Sequence, residues 1–416
     1  MSKYIVSQSS PLSGTVTVSG SKNSALPILA ATILANGCSV INDVPPLLDI
    51  QNMSDLLTCL GANVTVKGTS MSICCDRPIS DVTSYEMVNK LRASFLITGP
   101  LLARVGKVKI SLPGGCQIGT RPVDLHLKGL TAMGAKITQG HGYVEARCKK
   151  LKGAKIYLDF PSVGATENLI MAASLAEGLT IIENAAVEPE IVDLSNYINL
   201  LGGNVVGAGT DTIKITGVSE LRGTTHTVIP DRIEAGTFLT ATAMTGGKVR
   251  IENIMPKHLK PITAKMRESG IKITEGDGYI DVDASNKPKA VDIKTMPYPG
   301  FPTDMQAPYT SMMTIADGTS MVIETIFENR FLHVPELKRM GANVKIEGRT
   351  AVVEGAKKLT GAQVKATDLR AGAALVIAGL VADGTTEISD IHHIERGYYN
   401  FDEKLNSLGA KIIKTQ

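Results

Sequence analysis

The sequence predicts an α/β protein with its helices inside and its sheets facing water, written as six related units divided three and three. A small-residue turn running into a short strand recurs at roughly 70-residue spacing: Leu60-Gly61-Ala62-Asn63-Val64, Met133-Gly134-Ala135-Lys136-Ile137, Leu201-Gly202-Gly203-Asn204-Val205, Ser269-Gly270-Ile271-Lys272-Ile273, Met340-Gly341-Ala342-Asn343-Val344 and Leu408-Gly409-Ala410-Lys411-Ile412. Helical stretches such as Ala371-Gly372-Ala373-Ala374-Leu375-Val376-Ile377-Ala378-Gly379-Leu380 are apolar or small around the whole circumference, so they must be buried on every side. Strand stretches such as Lys248-Val249-Arg250-Ile251-Glu252 alternate, which leaves one sheet face in water. A TIM barrel is excluded, because its strands would be the continuously apolar element.

Taken in order, each unit reads helix, strand, helix, then a pair of strands. The buried helices are expected at residues 25–34, 88–103, 166–176, 233–244, 305–315 and 369–381. Glycines in phase with them, Gly37, Gly106, Gly178, Gly247, Gly318 and Gly384, read as helix C-caps. Six units exceed one core of this kind. Turn residues place the linkers near Gly20-Ser21 and Ile229-Pro230-Asp231, giving one domain of residues 1–20 plus 230–416 and another of residues 21–229. The strand over residues 15–19 then joins the C-terminal half, making a discontinuous domain crossed by two hinges.

Composition excludes several classes. A net charge of +3, with no basic run interleaved with aromatics, argues against a nucleic-acid partner. The N-terminal residues lack an apolar signal core, and Gly, Thr, Asn or charge interrupts the apolar helices before they span a bilayer, so the expectation is a cytoplasmic chain with no membrane partner. Cys38, Cys59, Cys74, Cys75, Cys116 and Cys148 show no framework spacing and read as free thiols. No metal motif emerges: there is no H-E-x-x-H, and His392-His393 is an adjacent pair whose side chains should diverge. Neither a P-loop nor a G-x-G-x-x-G after a strand is present. With no exposed apolar stripe to mark an interface, a monomer is the default.

The chemistry falls where the units differ. In the second unit a strand-to-helix turn is lengthened into the loop 112–122, where Gly114, Gly115 and Gly119 flank Cys116 and Arg121 follows. A thiol on a mobile loop beside an arginine favours the reactive thiolate, although an incidental cysteine on a surface turn has the same appearance. Buried helices start at Ser21-Lys22-Asn23, Asn89-Lys90-Leu91-Arg92, Ser162-Val163-Gly164, Asp231-Arg232, Thr303-Asp304 and Thr367-Asp368-Leu369-Arg370. Capping accounts for Ser, Thr and Asp there. It does not account for Lys22, Arg92 or Arg370, because a cation in a first turn opposes the helix dipole. Arg330 and Arg396 sit at one offset from Gly318 and Gly384. If the helix starts of both domains face a common cleft, these cations suit a load of several phosphates and a carboxylate. Asp304 is the odd carboxylate among them; its spacing leaves both an N-cap and a proton-accepting role open.

Four stretches carry a resemblance that covers essentially the whole chain. They are Ser19-Gly20-Ser21-Lys22-Asn23-Ser24-Ala25-Leu26-Pro27, Pro113-Gly114-Gly115-Cys116-Gln117-Ile118-Gly119-Thr120-Arg121-Pro122-Val123-Asp124-Leu125-His126, Ser162-Val163-Gly164-Ala165-Thr166-Glu167-Asn168 and Phe301-Pro302-Thr303-Asp304-Met305-Gln306. The sequence resembles the UDP-N-acetylglucosamine enolpyruvyl transferase (1-carboxyvinyltransferase) family of the EPSP synthase superfamily. The resemblance implies two inside-out α/β barrel domains, each of three βαβαββ repeats, joined by a two-strand hinge. It implies transfer of enolpyruvyl from phosphoenolpyruvate to the sugar 3-hydroxyl with release of phosphate, through a tetrahedral intermediate, with no metal or organic cofactor. By the same resemblance Cys116 protonates the methylene carbon and can form a covalent adduct, and Asp304 accepts the hydroxyl proton. Lys22, Arg121 and Arg396 hold the phosphate, Arg330 and Arg370 lie near the carboxylate, and Asn23 sits between the substrates. Arg121, Pro122, Val123, Asp124 and Leu125 meet the uridine, Arg92, Ser162, Val163 and Gly164 the nucleotide, and Ile326 the sugar. The thiol at Cys116 implies sensitivity to the epoxide antibiotic fosfomycin.

Overall fold

The computed structural model describes residues 2–76, 79–83, 86, 88, 91–112, 118, 119, 122–140 and 142–415, without the side chain of Arg92. Cys116 and Arg121 lie outside the described residues. The chain forms two compact units. The terminal unit holds the described residues of Met1–Ser19, Cys116–Thr120 and Pro230–Gln416; the central unit holds those of Gly20–Gly115 and Arg121–Ile229.

The chain opens with β1 (Lys3–Ser7) and β2 (Ser13–Thr17). The central unit then runs α1 (Lys22–Ala31), β3 (Cys38–Asn42), α2 (Leu48–Cys59), β4 (Asn63–Lys67) and β5 (Ser70–Cys74). Its second repeat has α3 (Thr98–Val105), β6 (Lys107–Ser111), α4 (Asp124–Ala132), β7 (Lys136–Gly140) and β8 (Tyr143–Arg147). Its third has β9 (Lys155–Tyr157), α5 (Val163–Ala173), β10 (Leu179–Glu183), α6 (Pro189–Leu200), β11 (Val205–Val206) and β12 (Thr212–Thr216), after which β13 (Thr225–Thr227) leads out. The terminal unit continues with α7 (Arg232–Thr245), β14 (Lys248–Glu252), α8 (Lys260–Glu268), β15 (Lys272–Gly276) and β16 (Tyr279–Asp283). There follow β17 (Ile293–Lys294), α9 (Gln306–Met313), β18 (Thr319–Ile323), α10 (Val334–Arg339), β19 (Asn343–Glu347) and β20 (Thr350–Glu354). The last repeat is β21 (Gln363–Lys365), α11 (Leu369–Gly379), β22 (Thr385–Ser389), α12 (His392–Glu395), α13 (Phe401–Ser407) and β23 (Lys411–Thr415).

Among the described residues each unit carries three sheets. Their strand orders are β13-β3-β5-β4, β6-β8-β7 and β11-β12-β10-β9 in the central unit, and β15-β16-β14-β2, β17-β18-β20-β19 and β21-β22-β1-β23 in the terminal one. In the three-stranded sheet, the place of the parallel partner is taken by a single bridge from Val82 to Lys109. β2 pairs in parallel with β14, and β13 with β3, so each unit completes a sheet with a strand that precedes or follows the other unit in sequence.

The layering follows from the apolar pattern. Every residue of α7 from Arg232 to Met244 is buried, as is every residue of α11 from Arg370 to Gly379. The strands alternate instead, with Val249 and Ile251 of β14 inside and Lys248 outside. Removing large side chains from water yields about 1.5–3 kcal/mol each, against about 1 kcal/mol for a helix cap, so packing decides where these helices lie. Caps fix where they begin: Ser21, Ser162, Asp231 and Asp368 each accept first-turn amides.

Four expectations are corrected. Cys38 and Cys74 are not free: they face each other in the β3–β5 register with Cα atoms 4.0 Å apart and form a disulfide. Spacing 36 residues apart in sequence does not disclose a register neighbour. Of the six glycines, Gly106 alone is a left-handed helix cap; α7 is capped by Gly246, while Gly37, Gly178, Gly318 and Gly384 take positive φ in the turn that feeds the next strand. Of the helix expected over 88–103, the described stretch from Arg92 onward is a 3₁₀ turn, Arg92–Ile97, followed by α3. The His392 and His393 rings lie 4.1 Å apart instead of diverging. Among the described residues no helix is long and apolar enough to cross a membrane.

Close helix packing in the central unit rests on Gly99 of α3, where an added Cβ would meet the carbonyl and side-chain oxygens of Asn168 at 2.3 Å. Gly99→Ala is expected to cost about 1–3 kcal/mol through overpacking, seen as a lower urea midpoint at unchanged slope.

Candidate active site

In the central unit, α1 brings Lys22 to its first position and Asn23 to its second. Lys22 is 9 % exposed, and its Nζ lies 3.0 Å from Oδ2 of Asp49, in the first turn of α2. That pairing offsets the unfavourable meeting of a cation with a helix N-terminus. Sequence reasoning missed Asp49, because an acid in a first turn looks like an ordinary helix start. The helix itself is anchored by Asp193 of α6: its Oδ2 accepts from Ser24 Oγ at 2.5 Å and from the Ile229 amide at 3.2 Å, and Oδ1 lies 2.9 Å from His226 Nε2.

The starts of α4 and α5 come together in the same unit. Pro122 and Val123 lead into Asp124 and Leu125 at the head of α4. Ser162 caps α5, accepting the Ala165 amide at 3.4 Å, with Val163 and Gly164 in its first turn. An added Cβ at Gly164 would lie 3.4 Å from Cε1 of His126, in van der Waals contact with the neighbouring helix. Asn168 locks this arrangement: Oδ1 accepts the Gly99 amide at 2.6 Å, while Nδ2 reaches the Phe95 carbonyl and His126 Nδ1, each at 3.0 Å. Deeper in α5, burial pushes the Glu167 carboxyl well above the usual carboxylate range, and Glu190 and Glu188 push it the same way.

In the terminal unit, Asp304, Arg330 and Arg370 form one cluster. Asp304 lies inside the 3₁₀ turn Thr303–Met305 and does not cap it. Its Oδ1 takes Nη2 of Arg330 at 2.9 Å and its Oδ2 takes Nη2 of Arg370 at 3.0 Å. Both guanidinium side chains are 3 % exposed, whereas Asp304 is 27 % exposed. Burial works against the Arg370 cation, but Tyr398, Asp304 and Asp231 outweigh it and hold its proton more firmly than an ordinary arginine's. Nε and Nη1 of Arg370, and both amide atoms of Gln306 at the head of α9, have no hydrogen-bond partner among the described residues. The two Arg370 nitrogens and Gln306 Nε2 are donors, and a buried donor costs about 1–3 kcal/mol when unanswered, which suits these three to an anion; Gln306 Oε1 is an acceptor. Ile326 is half-buried, with its amide tied down by Glu324, and Arg396 is half-buried at the end of α12.

The structure therefore unites Asp304 with Arg330 and Arg370, and the start of α4 with the start of α5. Lys22, Asn23 and residues 122–125 and 162–164 belong to the central unit; Asp304, Ile326, Arg330, Arg370 and Arg396 belong to the terminal one. Cys116, Arg121 and the Arg92 side chain are outside the described residues. No group of three His, Cys, Asp or Glu among the described residues is placed to hold a metal ion.

The family model for EPSP synthase (3-phosphoshikimate 1-carboxyvinyltransferase) matches residues 6–405. The chain is 61 % identical over 413 residues to UDP-N-acetylglucosamine 1-carboxyvinyltransferase 1 of Caldanaerobacter subterraneus subsp. tengcongensis, covering 99 % of each. It is 56 % identical over 422 residues to UDP-N-acetylglucosamine 1-carboxyvinyltransferase 2 of Clostridium tetani, covering 100 % of each. Among solved structures it resembles the enolpyruvyl transferase NikO from Streptomyces tendae, with a TM-score of 0.91 at 23 % identity over 100 % of this chain and 99 % of that one. An EPSP synthase from Acinetobacter baumannii gives 0.78 at 20 % identity over 100 % of both. At those identities the two structures speak for the fold alone.

His333 is fully buried in the same unit as this cluster. Burial pushes its imidazole from 6.5 down to about 4, with the Asp368 charge opposing and the Arg330 charge adding to the shift. Between those values the unfolded chain binds a proton that the folded chain refuses, so stability falls as pH falls through this window. His333→Leu should remove a slope of up to about 1.4 kcal/mol per pH unit, read from urea midpoints at pH 7.5, 6 and 5; an unchanged slope counts against it.

Proposed function

Because the chain belongs to the EPSP synthase family, we propose that it transfers the enolpyruvyl group of phosphoenolpyruvate to the 3-hydroxyl of UDP-N-acetylglucosamine and releases phosphate, the first committed step of peptidoglycan synthesis. The observation that carries this is 61 % identity, end to end, to a UDP-N-acetylglucosamine 1-carboxyvinyltransferase.

The reaction divides into an addition and an elimination. In the addition, the sugar oxygen bonds to C2 of phosphoenolpyruvate, its proton passing to Asp304, while Cys116 delivers a proton to the methylene carbon. In the elimination, that carbon loses a proton and the C–O bond to phosphate breaks. Lys22, Arg121 and Arg396 hold the phosphate, and Arg330 and Arg370 take the carboxylate. Charge then builds on the leaving phosphate where cations already stand. The pairing of Asp304 with both arginines supports its role. A carboxylate held by two guanidinium groups is a poor base, and an arriving substrate anion competes for those donors and frees it.

Asn23 lies between the substrates in this reading. Pro122, Val123, Asp124 and Leu125 receive the uridine with Arg121; Arg92, Ser162, Val163 and Gly164 receive the nucleotide; Ile326 meets the sugar. Residues 1–20 with 230–416 and residues 21–229 are the two domains. The reaction needs no metal or organic cofactor, and we read the protein as cytoplasmic and monomeric.

The test is phosphate release from phosphoenolpyruvate with UDP-N-acetylglucosamine, run beside shikimate 3-phosphate. Release should require the UDP-sugar and fall by about 10²–10⁴-fold in Cys116→Ala and in Asp304→Ala, the range for loss of a general acid or base. Release with shikimate 3-phosphate alone, or with neither acceptor, would overturn the assignment.

A further inference from the structure

Glu324 stands directly after β18 and is 1 % exposed. Its four partners are all neutral. Oε1 accepts the Thr295 hydroxyl at 2.9 Å and the amides of Ile326 and Phe327 at 2.8 and 3.2 Å; Oε2 accepts the Thr303 hydroxyl at 2.9 Å. A buried carboxylate is costly unless fully hydrogen-bonded, and here four donors from three segments converge on it.

Two of those segments adjoin the Asp304 cluster. Thr303 immediately precedes Asp304. Phe327 places its ring 5.5 Å from the guanidinium carbon of Arg330, the partner of Asp304. Ile326 is the residue assigned to the sugar. Holding β17 beside β18 does not require Glu324, because Thr325 already clamps the strand ends, its amide donating to Thr295 Oγ1 at 2.9 Å and its hydroxyl to the Thr295 carbonyl at 2.5 Å. The reach of Glu324 to Thr303 and to two further amides is additional to that clamp.

We propose that Glu324 is a positioning residue: its carboxylate ties the Thr303–Asp304 turn to the Ile326–Phe327 segment, so that the proton acceptor and the sugar contact keep one fixed spacing. The inference rests on the roles given above to Asp304 and Ile326. Glutamine preserves this tie, since its oxygen can accept both amides and the Thr295 hydroxyl while its NH₂ donates to the Thr303 oxygen. Alanine leaves four donors unanswered, and Thr303→Val removes only the arm to the Asp304 turn.

Steady-state kinetics of phosphate release and hydrogen–deuterium exchange of the full chain test this together. Misplacement of a reacting group costs up to about a hundred-fold in rate, so Glu324→Ala should lower kcat by about ten- to a hundred-fold and raise the KM for UDP-N-acetylglucosamine. Glu324→Gln should stay within about three-fold of wild type in both, a change too small for a lost catalytic contact. Thr303→Val should lower kcat and leave that KM in place. Amides over 300–305 and 325–328 should exchange faster in Glu324→Ala and not in Glu324→Gln. Equal impairment of the alanine and glutamine variants, or unchanged exchange in Glu324→Ala, overturns the proposal. If Glu324→Ala does not fold, the split between kcat and KM in Thr303→Val and the rescue by glutamine decide. A wild type without UDP-sugar-dependent release sinks the assigned reaction, and the exchange data then decide on Glu324 alone.

Discussion

A helix that is apolar around its whole circumference has nowhere to go but the middle of something, and segments such as α11 govern this molecule. Sheets with one watery face are the layer that encloses them, which is why the usual α/β order is reversed. The same constraint dictates where polar chemistry can sit. The flanks of α7 and α11 are closed by packing, so charge on those two helices is confined to their first turns. Lys22, Ser162, Asp304 and Arg370 all occupy helix starts or the turns that feed them. The core places these residues before any ligand is considered.

Buried ions are a second layer of the same logic. Arg330 and Arg370 are nearly inaccessible and share one carboxylate. Well-packed apolar residues of similar volume would serve stability as well or better than such a group, because its desolvation cancels much of its attraction. Its presence is best understood through what it can exchange for Asp304. Lys22 and Asp49 repeat the arrangement on a smaller scale.

Sequence alone made the architecture legible because it is periodic. The glycine-centred turn marker that runs into a short strand repeats six times, and a motif that recurs in phase reports backbone geometry directly. Position by position the picture was less complete. The Cys38–Cys74 bond depends on a strand register that no local pattern encodes. The caps at Gly37, Gly178, Gly318 and Gly384 were misplaced because a turn intervenes between the helix end and the next strand. The spacing leaves Asp304 open between a cap and a proton acceptor; in the structure it does not cap its turn and its carboxylate meets two arginines instead. Asp49, Glu324 and His333 carried no signal: each matters only through partners 27 residues away, in a neighbouring strand end, or in the enclosing core.

The strand pairing also sets an order of events on the ribosome. β1 is made long before its neighbours, β22 and β23, and β2 waits for β14. At about 5–20 residues per second, roughly 400 residues of further synthesis keep β1 without its partners for some 20–80 seconds. The central unit, by contrast, has all its sheets by β13. The nascent chain thus carries a finished unit and an unpaired leading strand together, and for that interval the leading strand is an open edge seeking a partner. The short, charge-bearing sequence Lys3-Tyr4-Ile5-Val6-Ser7 is where the protein must resist pairing with the wrong one.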